Sequence, residues 1–171
     1  MRLILTDRAL RVAVPDDGKT AYVDLTTRKI ARCVGCFGCW TRTPGRCVIR
    51  DDATRIYPLI ARSDTLLYVS RIRYGGYDTF MKTMLERAIP VQQAFIRVVD
   101  GETHHEQRAV VPKRATIVAY GAETPDELEL FRQLIARNAR NMNFTEHRVL
   151  FVREDEVDDT VKQLIATWER S

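Results

Sequence analysis

The chain has 171 residues, of which 45% are hydrophobic and 29% charged. This composition is that of a folded protein and not of a disordered one, so we expect one folded domain over residues 1–171. No apolar run approaches the length of a membrane span or of a signal peptide, which predicts a cytoplasmic protein that does not bind membranes. The net charge of +4 comes without a basic stripe of interleaved aromatics, so nucleic acid binding is not expected.

Three short strand-like runs open the chain, at residues 3–5, 10–14 and 21–25. Short polar breaks separate them, and neither connection is long enough for a crossover helix with its turns. The pattern therefore predicts hairpin pairing where a strand-helix-strand unit would otherwise stand.

All four cysteines then fall in one segment with the spacing C-x2-C-x2-C-x7-C, as Cys33, Cys36, Cys39 and Cys47. Two-residue gaps and small glycines between them let successive sulfurs turn toward one metal centre. In a reducing compartment such thiols indicate metal ligands or redox groups more than a structural disulfide. A zinc site, which more often uses two separated C-x2-C pairs, a labile Cys33–Cys36 disulfide and plain reactive thiols remain alternatives.

The rest of the chain alternates short apolar runs with amphipathic segments, as a parallel sheet flanked by helices does. The predicted strands are residues 65–70, 115–120 and 147–152, and the predicted helices are 52–61, 79–88, 125–141 and 155–170. In the second helix Met81, Met84 and Leu85 are expected in the core, and Lys82 and Arg87 in solvent.

A long stretch at residues 90–112 has weak periodicity and predicts an excursion over the carboxyl edge of the sheet, where ligand contacts concentrate. It contains His104 and His105. These histidines are either proton donors or surface loop residues, and their polar neighbours favour the surface.

After the cysteine run come Asp51 and Asp52, a helix, a strand and the loop 70–77, Ser-Arg-Ile-Arg-Tyr-Gly-Gly-Tyr. Over about residues 20–170 this succession resembles the flavodoxin-like family of NAD(P)H-dependent FMN reductases, specifically its iron-sulfur flavoprotein branch. In that family a compact cysteine run precedes an Asp-Asp helix start, and a Ser-Pro-x-Tyr-x-Gly loop lies against the flavin.

The resemblance implies a flavodoxin-like three-layer α/β sandwich with a parallel five-stranded sheet in the order 2-1-3-4-5, the first helix being replaced by a hairpin. It makes the four cysteines candidate ligands of a [4Fe-4S] cluster. The candidate flavin contacts that it implies are Ser70, Arg71, Arg73, Tyr74, Gly75, Gly76 and Gly121. Arg71 stands at the family's proline and Arg73 at its first tyrosine, and a guanidinium can stack on a flavin or hold a phosphate.

The implied function is a flavin-dependent oxidoreductase or electron-transfer protein that uses FMN, with NAD(P)H as the electron donor and no assigned catalytic residue. Its implied partners are a small-molecule redox substrate or an electron-carrier protein, and a second copy of the chain in a homodimer. One departure keeps alternatives open, because Asp7 stands where the family has its phosphate loop and would repel a phosphate. These alternatives are a non-catalytic flavodoxin-fold module that has lost FMN binding and a cysteine-based redox sensor.

Overall fold

The computed structural model describes residues 1–99 and 101–168. Its strands are β1 (Arg2–Thr6), β2 (Thr20–Asp24), β3 (Thr65–Arg73), β4 (Gly76–Tyr77), β5 (Gln92–Val99), β6 (Glu102–Gln107), β7 (Lys113–Tyr120) and β8 (Phe144–Val152). Its α-helices are α1 (Gly38–Thr41), α2 (Ala53–Arg62), α3 (Thr79–Glu86), α4 (Pro125–Asn141) and α5 (Val157–Trp168). No helix in the described ranges is long and apolar enough to cross a membrane.

The central sheet has the order β2-β1-β3-β7-β8, with every pair in this path parallel. The short strand β4 adds to β3 in the antiparallel sense. This confirms the predicted α/β sandwich and its strand order, because these five strands are the first to fifth of the predicted sheet. Helix α4 also matches its predicted bounds, with the Thr124 hydroxyl accepting from the backbone N–H of Glu127 at its start.

Each face of the sheet buries its own apolar cluster. Alternate residues of β3 belong to different clusters, Leu66 and Tyr68 to the one under α2, α3 and α4, and Leu67 and Val69 to the one under α5. Strands buried on both faces read as continuous apolar runs, which is why the sequence revealed them readily.

The predicted N-terminal hairpin is wrong, because β1 and β2 pair in parallel. The segment between them, residues 7–19, contains no helix, as expected, and it crosses the α5 face of the sheet instead. Leu10, Val12 and Val14 pack there against the cluster that includes Val157 and Val161. Apolar residues at every second position cover the face with an extended chain, so their alternation marked a covering segment and not a strand.

The predicted excursion is a two-stranded antiparallel hairpin, β5 and β6. The side-chain amides of Gln92 and Gln107 each donate to the carbonyl of Asn141 at 2.9 Å. Asn141 ends α4, and α4 runs back from the carboxyl edge toward the start of β8. The hairpin therefore lies at the amino edge of the sheet, and the predicted position at the carboxyl edge is wrong.

Two further details concern the bounds of predicted elements. Residue 100 of the predicted excursion and residues 169–170 of the last predicted helix lie outside them. Within them, a 3-10 turn at Glu154–Glu156 precedes α5, where the sequence predicted one helix from residue 155.

Lys113, at the start of β7, is 1% exposed, and its ammonium donates to the carbonyls of Ala61 at 3.3 Å and Val111 at 2.5 Å. Burial lowers the pKa of this lysine to about 8 from 10.5. The folded chain thus binds fewer protons than the unfolded one between these pH values, so stability rises with pH across that window.

We expect Lys113→Met to raise the free energy of unfolding at pH 7 by about 2 kcal/mol, since it removes a buried charge, and the gain over the wild type should shrink toward pH 10. Urea unfolding at pH 7, 8, 9 and 10 measures this difference. Lys82→Met, at an exposed position of α3, is the control and should give no gain. A pH-independent difference for Lys113→Met would contradict the expectation.

Candidate functional site

The cysteines lie in a loop of residues 28–52, called here the cysteine loop, whose two ends are tied to each other. The backbone N–H of Lys29 donates to the Asp52 carboxylate at 2.8 Å, and that of Ala31 donates to the Asp51 carboxylate at 2.8 Å. The backbone N–H of Asp52 donates in return to the carbonyl of Lys29 at 3.3 Å. The Asp51-Asp52 pair thus closes the neck of the loop immediately before α2.

Arg87, directly after α3, is the main anchor of this neck. Its guanidinium is 1% exposed and binds both carboxylate oxygens of Asp51, at 2.7 and 2.9 Å. It also donates to the carbonyls of Ala31 at 2.7 Å and Ile49 at 3.2 Å, and to the sulfur of Cys47 at 3.4 Å. The expectation that Arg87 is solvated is therefore wrong, because the cysteine loop covers this end of α3.

The Asp51–Arg87 pair remains charged at neutral pH. Burial alone would raise the pKa of the Asp51 carboxyl, but the hydrogen bonds from Arg87 and from the N–H of Ala31 lower it overall. Burial acts against the Arg87 guanidinium too, yet the bond to Asp51 and the Cys47 thiol raise its pKa. A permanent cation is thus held beside one of the four sulfurs.

The four thiols are free. Cys33 and Cys36 are exposed, whereas Cys39 and Cys47 are half-buried. Burial, and then the negative charges that Cys47, Cys33 and Cys36 would carry as thiolates, raise the pKa of the Cys39 thiol. All three other sulfurs are therefore within electrostatic reach of Cys39. Phe37 adopts the left-handed region with a φ of 53°, which turns the chain between the second and third cysteines.

These residues fit a cluster by their donor chemistry. Across residues 1–99 and 101–168, no three histidine, cysteine, aspartate or glutamate side chains are close enough to share one metal ion. A [4Fe-4S] cluster places its four thiolates on separate irons, so its ligands need not converge on a point. Four thiols on one anchored loop, with a cation beside the last of them, have the donor type and charge that such a cluster would need.

Trp40 joins the cysteine loop to the hairpin. Its indole N–H donates to the carbonyl of Ile89 at 3.4 Å, and its ring centroid lies 4.7 Å from that of His105. His104 contacts Asn141 at 2.9 Å and Glu102 at 3.1 Å. The expectation of surface histidines is wrong for both, because the hairpin folds one onto the end of α4 and the other onto Trp40.

At the carboxyl edge, Asp7 fills the point where the strand order reverses between β1 and β3, the usual ligand position in such sheets. One carboxylate oxygen accepts from the Ser70 hydroxyl at 2.6 Å and the backbone N–H of Arg71 at 3.0 Å. The other accepts from the Tyr120 hydroxyl at 3.1 Å. Burial raises the pKa of Asp7 despite these three bonds.

The sequence-predicted flavin contacts divide between three places. Ser70 is fully buried, with its hydroxyl bound to Asp7. The Arg71 side chain lies over Gly121, where an added Cβ would sit 3.0 Å from its Cγ, and its guanidinium is exposed without a hydrogen-bond partner in the described residues. The others line a cleft of about 780 Å³ between α3 and α4; they are Arg73, Tyr74, Gly75 and Gly76.

In this loop Gly75 has a structural requirement of its own. It adopts a φ of 71°, and an added Cβ would lie 2.7 Å from the Cβ of Leu130 on α4. We expect Gly75→Ala to lower the free energy of unfolding by about 2–4 kcal/mol, from left-handed strain plus overlap. Gly76→Ala is the matched control in urea unfolding, since its nearest neighbour would be 3.7 Å away. Equal losses for the two variants would contradict this.

Sequence comparison finds relatives of one kind. No family model matches the chain. An iron-sulfur flavoprotein of Methanocaldococcus jannaschii is 25% identical over 92 residues, 54% of this chain and 47% of that protein. An iron-sulfur flavoprotein of Archaeoglobus fulgidus is 30% identical over 86 residues, 50% of this chain and 38% of that protein. The chain thus spans half or less of the length of these curated relatives.

Solved structures resemble the whole chain. The azoreductase of Bacillus anthracis str. Sterne superposes with a TM-score of 0.58 at 10% identity, covering 98% of this chain and 93% of that one. RosB with bound 8-demethyl-8-formylriboflavin-5'-phosphate gives 0.59 at 12%, covering 96% and 75%. The NAD(P)H:quinone oxidoreductase of Methanothermobacter marburgensis gives 0.53 at 12%, covering 99% and 94%. The chain therefore has the flavodoxin-like fold of FMN-dependent reductases, and its sequence resembles that of iron-sulfur flavoproteins.

Proposed function

We propose that the protein is a flavin-dependent oxidoreductase or electron-transfer protein whose cysteine loop carries a redox centre. The observation that carries this proposal is the anchored cysteine loop, in which Arg87 binds both Asp51 at the neck and the sulfur of Cys47. A loop of merely retained thiols needs no such buried ion pair. The similarity to proteins named iron-sulfur flavoproteins supports the same function.

The four cysteines are the proposed ligands of a [4Fe-4S] cluster. When bound, such a cluster supplies one-electron transfer. Arg87 contributes a hydrogen bond and a positive charge at Cys47, which favour the more negative, reduced state of the site. Cys33 and Cys36 are exposed and define the side from which an electron partner approaches.

The carboxyl edge fits the ring of a flavin better than its phosphate. Residues 7–19 offer no helix N-terminus after β1, and Asp7 already takes the donors at that point. By contrast, the exposed Tyr74 provides a flat surface for the ring, and Arg71, which has no hydrogen-bond partner for its guanidinium in the described residues, provides a cation for a phosphate. The space beside Gly75 and Gly121 is taken by the side chains of Leu130 and Arg71. FMN, when bound, accepts electron pairs from a donor such as NAD(P)H and releases them singly.

Anaerobic reconstitution with ferrous iron and sulfide, followed by FMN titration, tests this function. We expect broad iron-sulfur absorption with about four irons per chain, lost in Cys39→Ser and Cys47→Ser, and micromolar quenching of FMN fluorescence. NADPH or NADH should then bleach the bound flavin under anaerobic conditions. Absence of both the absorption and the quenching would overturn the proposal.

A second candidate is a non-catalytic flavodoxin-fold module that has lost FMN. The observation in its favour is that the Asp7 carboxylate accepts three hydrogen bonds at the point where the strand order of the sheet reverses, so these donors are not free for a ligand. Under this candidate FMN does not quench at micromolar concentration. If the cysteines act instead as a redox sensor, thiol titres change reversibly with peroxide while no iron is retained.

Four free thiols suit a reducing compartment, and we propose a cytoplasmic location.

We also propose a homodimer, beside a small-molecule redox substrate or an electron-carrier protein as the functional partner. Strand β5 exposes Phe95, Ile96 and Val98 at 72%, 65% and 76%, on a two-stranded hairpin that pairs with no further strand among the residues that the structure describes. Such hairpins are marginal alone, and a second copy would cover this apolar face. Light scattering should give twice the chain mass for the wild type and the single mass for Ile96→Glu.

A further inference from the structure

A second cavity lies away from the carboxyl edge, between α3, α4 and the hairpin, above β3. It has a volume of about 290 Å³. Its apolar wall includes Leu85, Ala88, Ile89, Met142 and Phe144. The residues of the cysteine loop and those proposed to contact the flavin do not line it, but Tyr77, Leu85 and Asn138 line both this cavity and the cleft between α3 and α4.

Two polar groups at this cavity have no partner. The Tyr68 side chain is 1% exposed, and its hydroxyl is buried without a hydrogen bond in the described residues. Nδ1 of His105, which also lines the cavity, is buried and unpaired in the same way. Buried hydroxyl and imidazole groups normally find partners, because leaving them unpaired costs free energy. Their presence on one cavity wall indicates a ligand that satisfies them.

The lining also restricts the charge and size of that ligand. It contains no aspartate, glutamate, lysine or arginine, and its polar side chains besides Tyr68 and His105 are those of Tyr77, Gln92, Asn138 and Asn141, so it holds no permanent charge to pair with an ion. A charged molecule would lose its hydration on entering the cavity, and no charged partner there would offset that free-energy cost. The volume is roughly twice the ~150 Å³ of an apolar cavity that holds benzene, which leaves room for two fused rings.

We propose that this cavity binds a small neutral aromatic carbonyl compound, whose oxygen accepts the hydrogen bond of the Tyr68 hydroxyl and whose rings lie against Leu85, Met142 and Phe144. Burial raises the pKa of Tyr68 well above its ordinary value, so the hydroxyl remains a donor at any physiological pH. His105 provides a second polar contact, and its ring contacts that of Trp40 of the cysteine loop in a tilted arrangement. The site goes beyond the proposed function and needs neither flavin nor cluster.

Isothermal titration calorimetry with 1-indanone tests this proposal, with indane-1-carboxylate as the charged control of similar shape. We expect saturable one-to-one binding of the ketone and no binding of the carboxylate. Tyr68→Phe removes only the unpaired hydroxyl, so it should keep or raise the Tm. Its affinity for the ketone should be lower than that of the wild type by about tenfold or more. Cys39→Ser should bind the ketone like the wild type, which separates this site from the proposed redox centre.

Three results would overturn the proposal. The first is the absence of saturable binding by 1-indanone and by benzaldehyde, which would mean that the cavity holds water only. The second is equal affinity of wild type and Tyr68→Phe for the ketone. The third is binding of the carboxylate as tight as that of the ketone. Because Tyr68→Phe loses one hydroxyl and no packing, loss of fold does not confuse these outcomes.

Discussion

Arg87→Met is expected to lower the free energy of unfolding by about 3 kcal/mol and to release the neck of the cysteine loop. Removing one partner of a buried ion pair costs about 3–5 kcal/mol, and the lower end applies because the Asp51 side chain is 15% exposed and regains some water. The substitution also removes donors from the carbonyls of Ala31 and Ile49. Urea unfolding and the rate at which a chromogenic disulfide titrates the four thiols measure the two effects.

The control is Lys82→Met on α3, the helix that precedes Arg87, at an exposed position that should change neither quantity. Arg87→Lys keeps the charge but loses the two-pronged contact with Asp51, so it should give an intermediate loss. If Arg87→Met reconstitutes iron as the wild type does and its Cys47 titrates no faster, Arg87 does not hold the loop.

At acid pH the difference in unfolding free energy between wild type and Arg87→Met should decrease. The pKa of Asp51 is lowered in the folded chain, so its contribution is present above the unfolded value near 3.8 and is lost as pH falls through the folded value. The stability difference between wild type and Arg87→Met should therefore persist from pH 7 to pH 5 and shrink below pH 4.

How far the sequence could predict this molecule depended on the range of the interaction. Strands β3 and β7 were visible because both faces are apolar, and α4 because Thr124, Pro125 and Glu127 form a local start signal. The pairing of β1 with β2 was missed, because parallel or antiparallel pairing is decided by what covers the sheet. Short-range patterns therefore placed the elements, and contacts between distant segments determined their arrangement.

The same distinction applies to the sites. Spacing alone singled out the four cysteines, since all of them lie in one segment. Arg87 reaches Cys47 across 40 residues of chain, and Tyr120 reaches Asp7 across 113, so neither contact leaves a pattern in the sequence. The sequence showed that Asp7 is a poor neighbour for a phosphate, but not that Ser70 and Tyr120 would hold its carboxylate in place.

Asp7→Asn is expected to tighten FMN binding by about tenfold, equivalent to about 1.4 kcal/mol, by removing a negative charge from the switch point. The amide can preserve the hydrogen bonds: its oxygen accepts from Ser70 and from the N–H of Arg71, and its nitrogen donates to the Tyr120 hydroxyl, which turns to accept. FMN fluorescence quenching at fixed ionic strength measures the affinity of both proteins.

Riboflavin separates the charge effect from a change in shape, because it presents the same ring without a phosphate. Its affinity should be equal for Asp7→Asn and wild type, while that of FMN rises. The variant should also be more stable than the wild type at pH 7, since the raised pKa of Asp7 means that its charged form is disfavoured in the folded state, and the two should converge below pH 4. If Asp7→Asn binds FMN and riboflavin more tightly by the same factor, the substitution acts on the isoalloxazine ring and not on the phosphate. If it binds neither more tightly, the phosphate lies out of reach of Asp7.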